Sequence, residues 1–376
     1  MNVYLDNSAT TQCCPEAVEA ARLAMAEAYG NPSSTHGPGR KAAALLKQSR
    51  AVIAATLCVS PEELYFTSCG SEADNWAITC GAAAQKKVGK HIISSYTEHE
   101  AVLKSLERLE QKGWEVTRLN PREDGAVHPE DVADALREDT ALISLMHVNN
   151  ETGAITDIAA VAALLKQNKS RALLHTDAVQ SYMKVPFTAK KLGADMITIS
   201  AHKIHAPKGT GALYIRRGVH LQPFIVGGGQ ESRLRSGTEG IPGICAFAAA
   251  AKSAYRELNH EINTMENLRK KAIENIKKIC PECVIIGGGA PHILCVSFPG
   301  YRSEVLLNYL DAKNVYISKG SACKRGARSH VLQAMELPAG VIDSAVRISL
   351  SRFTTEEEID AFLLVLQQAL QNIMKT

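Results

Sequence analysis

Along the first three quarters of the chain, short apolar runs rich in β-branched residues alternate with stretches in which apolar positions recur every three to four residues. The runs at 64–67, 91–95, 115–119, 141–148, 172–176, 196–200 and 212–216 predict strands. The periodic stretches at 15–28, 41–57, 73–85, 101–112 and 158–167 predict amphipathic helices on the faces of a mainly parallel sheet, an α/β fold. From 243 to 278 the helical period continues, predicting one long helical stretch. Beyond it, strand-like runs at 284–286, 293–298, 315–318 and 346–349 are separated by helical segments and followed by a closing helix from Thr355. That change predicts a second, smaller α+β unit, joined by the N-terminal segment. The expected division is a large domain, 15–255, and a small domain made of 1–14 and 256–376. No internal repeat and no low-complexity tract interrupts the pattern.

Composition narrows the class. Of 376 residues, 45% are hydrophobic and 22% charged, which excludes a disordered or collagen-like chain and leaves a soluble globular one. Forty-two Lys and Arg against 39 Asp and Glu give a net charge of +3, too small for a global grip on nucleic acid or anionic lipid. Neither direct nucleic-acid binding nor membrane binding is expected. The start, MNVYLDNSATT, carries Asp6 and no apolar run behind a basic cluster, and the apolar stretch at 241–251 is shorter than the roughly 20 residues of a membrane span. A cytoplasmic location is therefore expected, with the 10 cysteines as reduced thiols. Cys280 and Cys283 form a CxxC, but zinc needs four ligands and no second pair lies nearby, so the pair reads as structural. Adjacent Cys13 and Cys14 are assigned no role, and Trp76 and Trp114 read as packing residues.

Three places carry chemistry. In LYFTSCGSEADNWAI a strand ends in Ser68-Cys69-Gly70-Ser71 and a helix begins, with Ser71 as the expected cap. The free N–H groups of that first turn suit an anion such as phosphate, although an ordinary capped turn would look the same. In RALLHTDAVQS an apolar strand delivers Asp177 at its carboxyl end, where open α/β sheets bind ligands, unless Asp177 merely caps a helix. In ADMITISAHKIHAPKG another strand ends at Ser200 and presents His202 and Lys203; a lysine there, crowded by His202 and desolvated, suits carbonyl chemistry. Taken singly each is weak. With His99 in TEHEAV, the Asn149-Asn150 pair in HVNNETG and Gln180, they supply in order the parts of a pyridoxal phosphate pocket: a phosphate seat, an aromatic ring, an acidic partner for the pyridinium and a Schiff-base lysine.

At this point the chain resembles the cysteine desulfurases of the NifS/IscS type, in the class V aminotransferase superfamily of fold-type I pyridoxal phosphate enzymes. The matching motifs run from YLDNSATT to RISLSRFTTEEEID and include YGNPSSTHGPGR, FTSCGSEADN, TEHEAV, HVNNETG, HTDAVQS, SAHKIHAPKG, GGGQE with RSGTEG, and SKGSAC. The resemblance implies that Lys203 bonds the cofactor covalently, Asp177 pairs with its ring nitrogen, His99 stacks on the ring and shares in proton transfer, and Gln180 contacts O3′. Gly70, Ser71, Ser200 and His202 would hold the phosphate, with Thr238 reaching it from the other subunit of a homodimer. Asn150, beside the cofactor, and Arg347, through its bidentate edge, would bind the carboxylate of L-cysteine. Cys323, in SKGSACKRGARSHVL, would take the sulfur as a persulfide and leave alanine. The cations Lys319, Lys324, Arg325 and Arg328 are expected to favour its thiolate. No metal is implied. An aminotransferase or selenocysteine lyase of the same fold, or a non-catalytic assembly protein, is the alternative.

Departures from the family pattern fall near the sulfur-acceptor position. The loop after Cys323 is shorter than in the long-loop members, Lys319 stands before Gly320, and Gln230 stands where that group has His. The chain ends at Thr376, soon after its last helix, without the extension that housekeeping members use to dock an iron–sulfur scaffold. A persulfide acceptor protein is expected, with a tRNA- or thiamin-thiolation protein favoured over the scaffold.

Overall fold

The computed structural model describes residues 1–320 and 328–375. The chain opens with β1 (Val3–Tyr4), passes through helices Pro15–Glu27 and Gly37–Leu57, and then lays down β2 (Leu64–Thr67), β3 (His91–Ser95), β4 (Glu115–Leu119), β5 (Thr140–Ser144), β6 (Leu173–Asp177), β7 (Met196–Ser200) and β8 (Gly211–Ile215). After two helices come β9 (Val284–Ile286), β10 (Ile293–Ser297), β11 (Val315–Tyr316) and β12 (Ala345–Ser349), then the closing helix Glu356–Asn372.

Strands β2 to β8 form one seven-stranded sheet in the order β2-β8-β7-β6-β5-β3-β4. Pairings from β4 through β7 are parallel, and β8 runs antiparallel to both neighbours. Every residue of β3, β5, β6, β7 and β8 is buried, as a sheet covered on both faces requires. One face packs on Ile53, Leu57, Phe247 and Ala250, the other on Trp76, Ile78, Val102 and Leu106. Trp76 is buried between Tyr65 and Phe224, a packing role as expected. After β4 the chain returns across β3 to place β5 on its far side. That reversal opens a crevice at the carboxyl ends of β3 and β5, where open α/β sheets take ligands.

A second layer is the antiparallel sheet β12-β10-β9, packed on the helices Leu258–Ile279 and Glu356–Asn372 through Leu268, Ile276, Val296, Phe362 and Leu366. The N-terminal segment joins it: β1 pairs in parallel with β11, and Asp6 bridges Ser349 beside β12.

Several boundaries differ from the sequence pattern. The long helical stretch is two helices, Ile241–Arg256 and Leu258–Ile279, broken at Glu257 (φ −119°, ψ 19°). No Gly or Pro breaks it there; the first helix buries Phe247 and Ala251 against the large sheet, while the second buries Leu268 and Ile276 against the small one. Strand β5 ends at Ser144, although the Leu145 and His147 N–H groups still donate to His175 O and Asp177 O of β6 before Val148 pairs with Ile155 in a turn. The phosphate-turn helix starts at Gly70, with Cys69 at its N-cap and no capping side chain, so Ser71 lies inside the first turn and does not cap it. Instead the Glu72 carboxylate accepts the Ser68 N–H at 2.8 Å. Among the described residues, no helix is long and apolar enough to cross a membrane.

Candidate active site

A cavity of about 520 Å³ lies over the carboxyl ends of the large sheet. Its lining includes Gly70, Ser71, His99, Asn150, Asp177, Gln180, Ser200, His202, Lys203 and Arg347. Thr238 is exposed and outside it, and Cys323 lies outside the described residues, although Gly320 and Arg328, which flank it in sequence, line the wall.

Each side chain is held by its element. Gly70 opens its helix so close to the sheet that a Cβ would meet Val179 Cγ2 at 2.9 Å, which explains glycine there. The same approach points the first-turn N–H groups at the cavity beside Ser200, whose buried hydroxyl has no partner. Asp177 ends β6 and accepts the Val179 N–H through Oδ1 at 2.8 Å; burial pushes its carboxyl up, while that hydrogen bond and the Lys203 charge oppose the shift. His99 caps helix Glu100–Glu110 by accepting the Ala101 N–H through Nδ1 at 3.2 Å, which leaves the proton on Nε2. Gln180 donates to Ser8 O at 2.9 Å.

Lys203 sits on the short turn after β7. Its Nζ donates to Ser8 O at 2.5 Å and Ala9 O at 2.7 Å. Burial, then the Arg347 charge, brings its amine down to about 8, against an opposing pull from Asp6 and Asp177. His202 stands beside Lys203 without adding a charge: burial and the neighbouring lysines hold it at about 4, so its ring is neutral near pH 7 and meets Thr10 Oγ1 at 3.2 Å.

Of the asparagine pair, Asn149 is consumed structurally: its Oδ1 accepts the N–H groups of Glu151 and Thr152, each at 2.9 Å, and its amide donates to Thr97 O. Asn150 faces the cavity. Arg347, on β12, is buried, and its guanidinium does not stand open as the expected bidentate receptor. Nη1 donates to Asn150 O at 2.7 Å and Nη2 to Asp6 Oδ1 at 2.7 Å. Two of the four cations expected to activate Cys323 are already neutralised: Lys319 pairs with Glu304 at 2.6 Å and Arg328 with Asp343 through two bonds of 2.7 Å.

The sequence pattern did not single out Ser8 and Ala9, which act through backbone carbonyls, or the buried carboxyls Asp74, Glu98 and Glu151. Burial pushes Glu98 up to about 8, and Asp74 and Glu151 upward too; Asp74 Oδ1 has no hydrogen-bond partner, and Glu151 accepts the Ser329 hydroxyl at 2.6 Å. The available signal was the polar run DNSATT directly after apolar VYL, too irregular for a helix or strand.

The donor set suits one cofactor. Free helix N–H groups with the unpartnered Ser200 hydroxyl suit a phosphate, Asp177 a protonated ring nitrogen, and the Lys203 amine a carbonyl carbon. Comparison with known proteins decides the family: residues 3–362 match the model described as aminotransferase class-V. The chain belongs to the class-V aminotransferase family. A protein named cysteine desulfurase IscS from Methanosarcina thermophila is 41% identical over 99% of this chain and 92% of its own length. Another of that name from Dictyoglomus turgidum is 39% identical over 99% of this chain and 95% of its own. Among solved structures, a NifS-like protein superposes with a TM-score of 0.94 at 38% identity, covering 99% of this chain and all of its own (100%). SspA in complex with cysteine does so with 0.79 at 31% identity, covering 94% and 100%. As a class-V aminotransferase the chain is a pyridoxal phosphate enzyme, and the residues in its cavity fit that cofactor.

Proposed function

We propose that the chain is a cysteine desulfurase that converts L-cysteine to L-alanine and hands the sulfur, as a persulfide, to an acceptor protein. Supporting this reading is the convergence in one cavity of the Lys203 amine at about 8, Asp177, His99 and Arg347, in a chain whose full-length relatives carry that name. Lys203 anchors the cofactor, Asp177 faces the ring nitrogen, His99 the ring and Gln180 the O3′ side; Gly70, Ser71, Ser200 and His202 hold the phosphate. Thr238, exposed on its own chain, completes the phosphate seat of a second copy in a homodimer.

When bound, pyridoxal phosphate supplies an electron sink for charge at the substrate Cα. The chain supplies the rest. Arg347 and Asn150 hold the carboxylate and so orient Cα toward Lys203. The Lys203 amine, free in a useful fraction near neutral pH, moves the proton at Cα, with Nε2 of His99 as the second site of proton transfer. The Cys323 thiolate attacks the substrate sulfur: an S–S bond forms, the Cβ–S bond breaks with its electron pair left on carbon, and protonation of that carbon gives the methyl group of alanine. Cys323 ends as a persulfide.

The acceptor is a dedicated thiolation protein. Lys319 and Arg328, which flank the Cys323 segment, are paired with Glu304 and Asp343, so an acidic acceptor surface that meets them exchanges its own carboxylates for these two. Incubation of the holoenzyme with L-cysteine, with alanine and protein-bound persulfide measured in the same tube, tests the reading. Wild-type enzyme should yield both in step, and Cys323→Ala should bind L-cysteine but form neither. Alanine release by Cys323→Ala at the wild-type rate would assign the chain to another chemistry of the same fold.

A further inference from the structure

Arg347 is locked in place. Its backbone pairs with Cys295 in β10 and with Ser318, and its side chain is 3% exposed. Nη1 is committed to two carbonyls, Asn150 O at 2.7 Å and Gly320 O at 3.4 Å. Nη2 is taken by Asp6 Oδ1 at 2.7 Å, while Nε is buried without a partner. Nε and Nη2 form the same edge of the guanidinium that binds carboxylates bidentately elsewhere in this chain, in Arg235 to Glu72 and Arg328 to Asp343. At Arg347 that edge is half used.

Asp6 is built to give way. Its backbone is pinned by the bridge to Ser349 and by the Tyr4 hydroxyl on its carbonyl oxygen, yet its side chain is 21% exposed, far more than that of Arg347. A rotation of the Asp6 side chain alone vacates Nη2, with no backbone rearrangement. A buried guanidinium left without an anion is strongly destabilising. Asp6 removes that cost in the free site, and an incoming carboxylate that takes Nε and Nη2 together removes it again and satisfies Nε as well.

We propose that Asp6 is an affinity-setting residue that occupies the substrate-carboxylate edge of Arg347, so that a ligand binds there by exchanging its own carboxylate for that of Asp6. The proposal rests on the assignment of Arg347 to the substrate carboxylate and deepens it. An amine without a carboxylate cannot make the exchange and leaves Asp6 in place. The contact weakens carboxylate ligands by competition, setting KM rather than the chemical step.

The test is an absorbance titration of the holoenzyme with L-alanine and with ethylamine, the same amine without the carboxylate. Asp6→Asn keeps the size and the acceptor oxygen and removes the competing charge. It should bind L-alanine at least about tenfold more tightly, lower the KM for L-cysteine more than it changes kcat, and leave ethylamine unchanged. Asp6→Glu, which keeps the charge, should stay within about threefold of wild type. If Asp6→Asn does not retain cofactor, the same titration on Asp6→Ser decides. Unchanged or weaker L-alanine binding in the charge-free variant, or equal tightening toward ethylamine, would overturn the proposal. So would Arg347→Ala with undiminished L-alanine affinity. A wild-type enzyme that binds L-alanine in this carboxylate-dependent way but yields no alanine from L-cysteine would defeat the desulfurase reading and leave the role of Asp6 standing.

Discussion

At Lys203, two unfavourable influences act on one ammonium: loss of water, and a buried guanidinium that cannot move away. The amine at about 8 holds fewer protons than the same lysine in an unfolded chain, at about 10.4, so folding stability rises with pH between those two values and the cost is complete below about 8. The free amine is the reactive form. Reductive labelling of Lys203 in the apoprotein by pyridoxal phosphate and borohydride should therefore rise about fivefold from pH 7 to pH 8 and level off above pH 9. Mass spectrometry of the labelled peptide reads it directly. Arg347→Ala should move the midpoint upward, because it removes the cation that acts with burial. A midpoint near that of ordinary surface lysines would show that the amine is not desolvated, and labelling at Lys208 in place of Lys203 would move the anchor.

Between elements, the buried pair Arg50–Glu231 ties three pieces together. Glu231 accepts from Arg50 Nη1 at 2.7 Å and Nη2 at 2.6 Å, and from the Phe66 N–H of β2 at 2.8 Å. It begins a turn in which three non-glycine residues, Glu231, Ser232 and Arg233, all have positive φ (45°, 57° and 68°), a conformation that persists only when its surroundings hold it. This turn belongs to the loop that carries Thr238, and a second ion pair, Arg235 to Glu72, fastens that loop to the phosphate-turn helix. Glu231→Ala strands a largely buried guanidinium and a buried N–H. It should cost about 3 kcal/mol in urea unfolding, and the double variant with Arg50→Ala should cost clearly less than the two single losses added. A loss below about 1 kcal/mol, or strict additivity, would mean that the pair is not what holds the turn.

At the scale of the molecule, residues 1–11 connect β11, β12 and the cavity. β1 pairs with β11, Asp6 bridges Ser349, the Ser8 and Ala9 carbonyls receive Lys203, and Thr11 meets the His202 carbonyl through both its N–H and its hydroxyl at 3.0 Å. The turn after β7 that carries Lys203 thus takes part of its geometry from a segment 191 to 195 residues earlier in the chain. Deletion of residues 1–11 should abolish retention of pyridoxal phosphate through gel filtration and lower Tm, because β11 loses its strand partner and Lys203 its acceptors. A truncated protein that keeps both the cofactor absorbance and the wild-type Tm would refute this account.

Periodicity alone determined the α/β class, most strand positions and the place of Asp177 and Lys203 at strand ends, because those features follow from local burial and from where an apolar run stops. The motif order pointed to the pyridoxal phosphate pocket because each part needs a particular residue type. Tertiary structure decided what depends on contacts between distant segments. The helical pattern through Glu257 reads as continuous, yet it breaks there because its two halves serve different cores. Ser71 looks like a cap, but the closeness of Gly70 to Val179 puts the helix start earlier. Nothing local marks Arg347 as already engaged by Asp6, or Lys319 and Arg328 as already paired, since the partners come from elsewhere in the chain. Strands and helices are short-range consequences of residue pattern; the charge state and free valences of a site are set by which distant groups the fold brings within bonding distance.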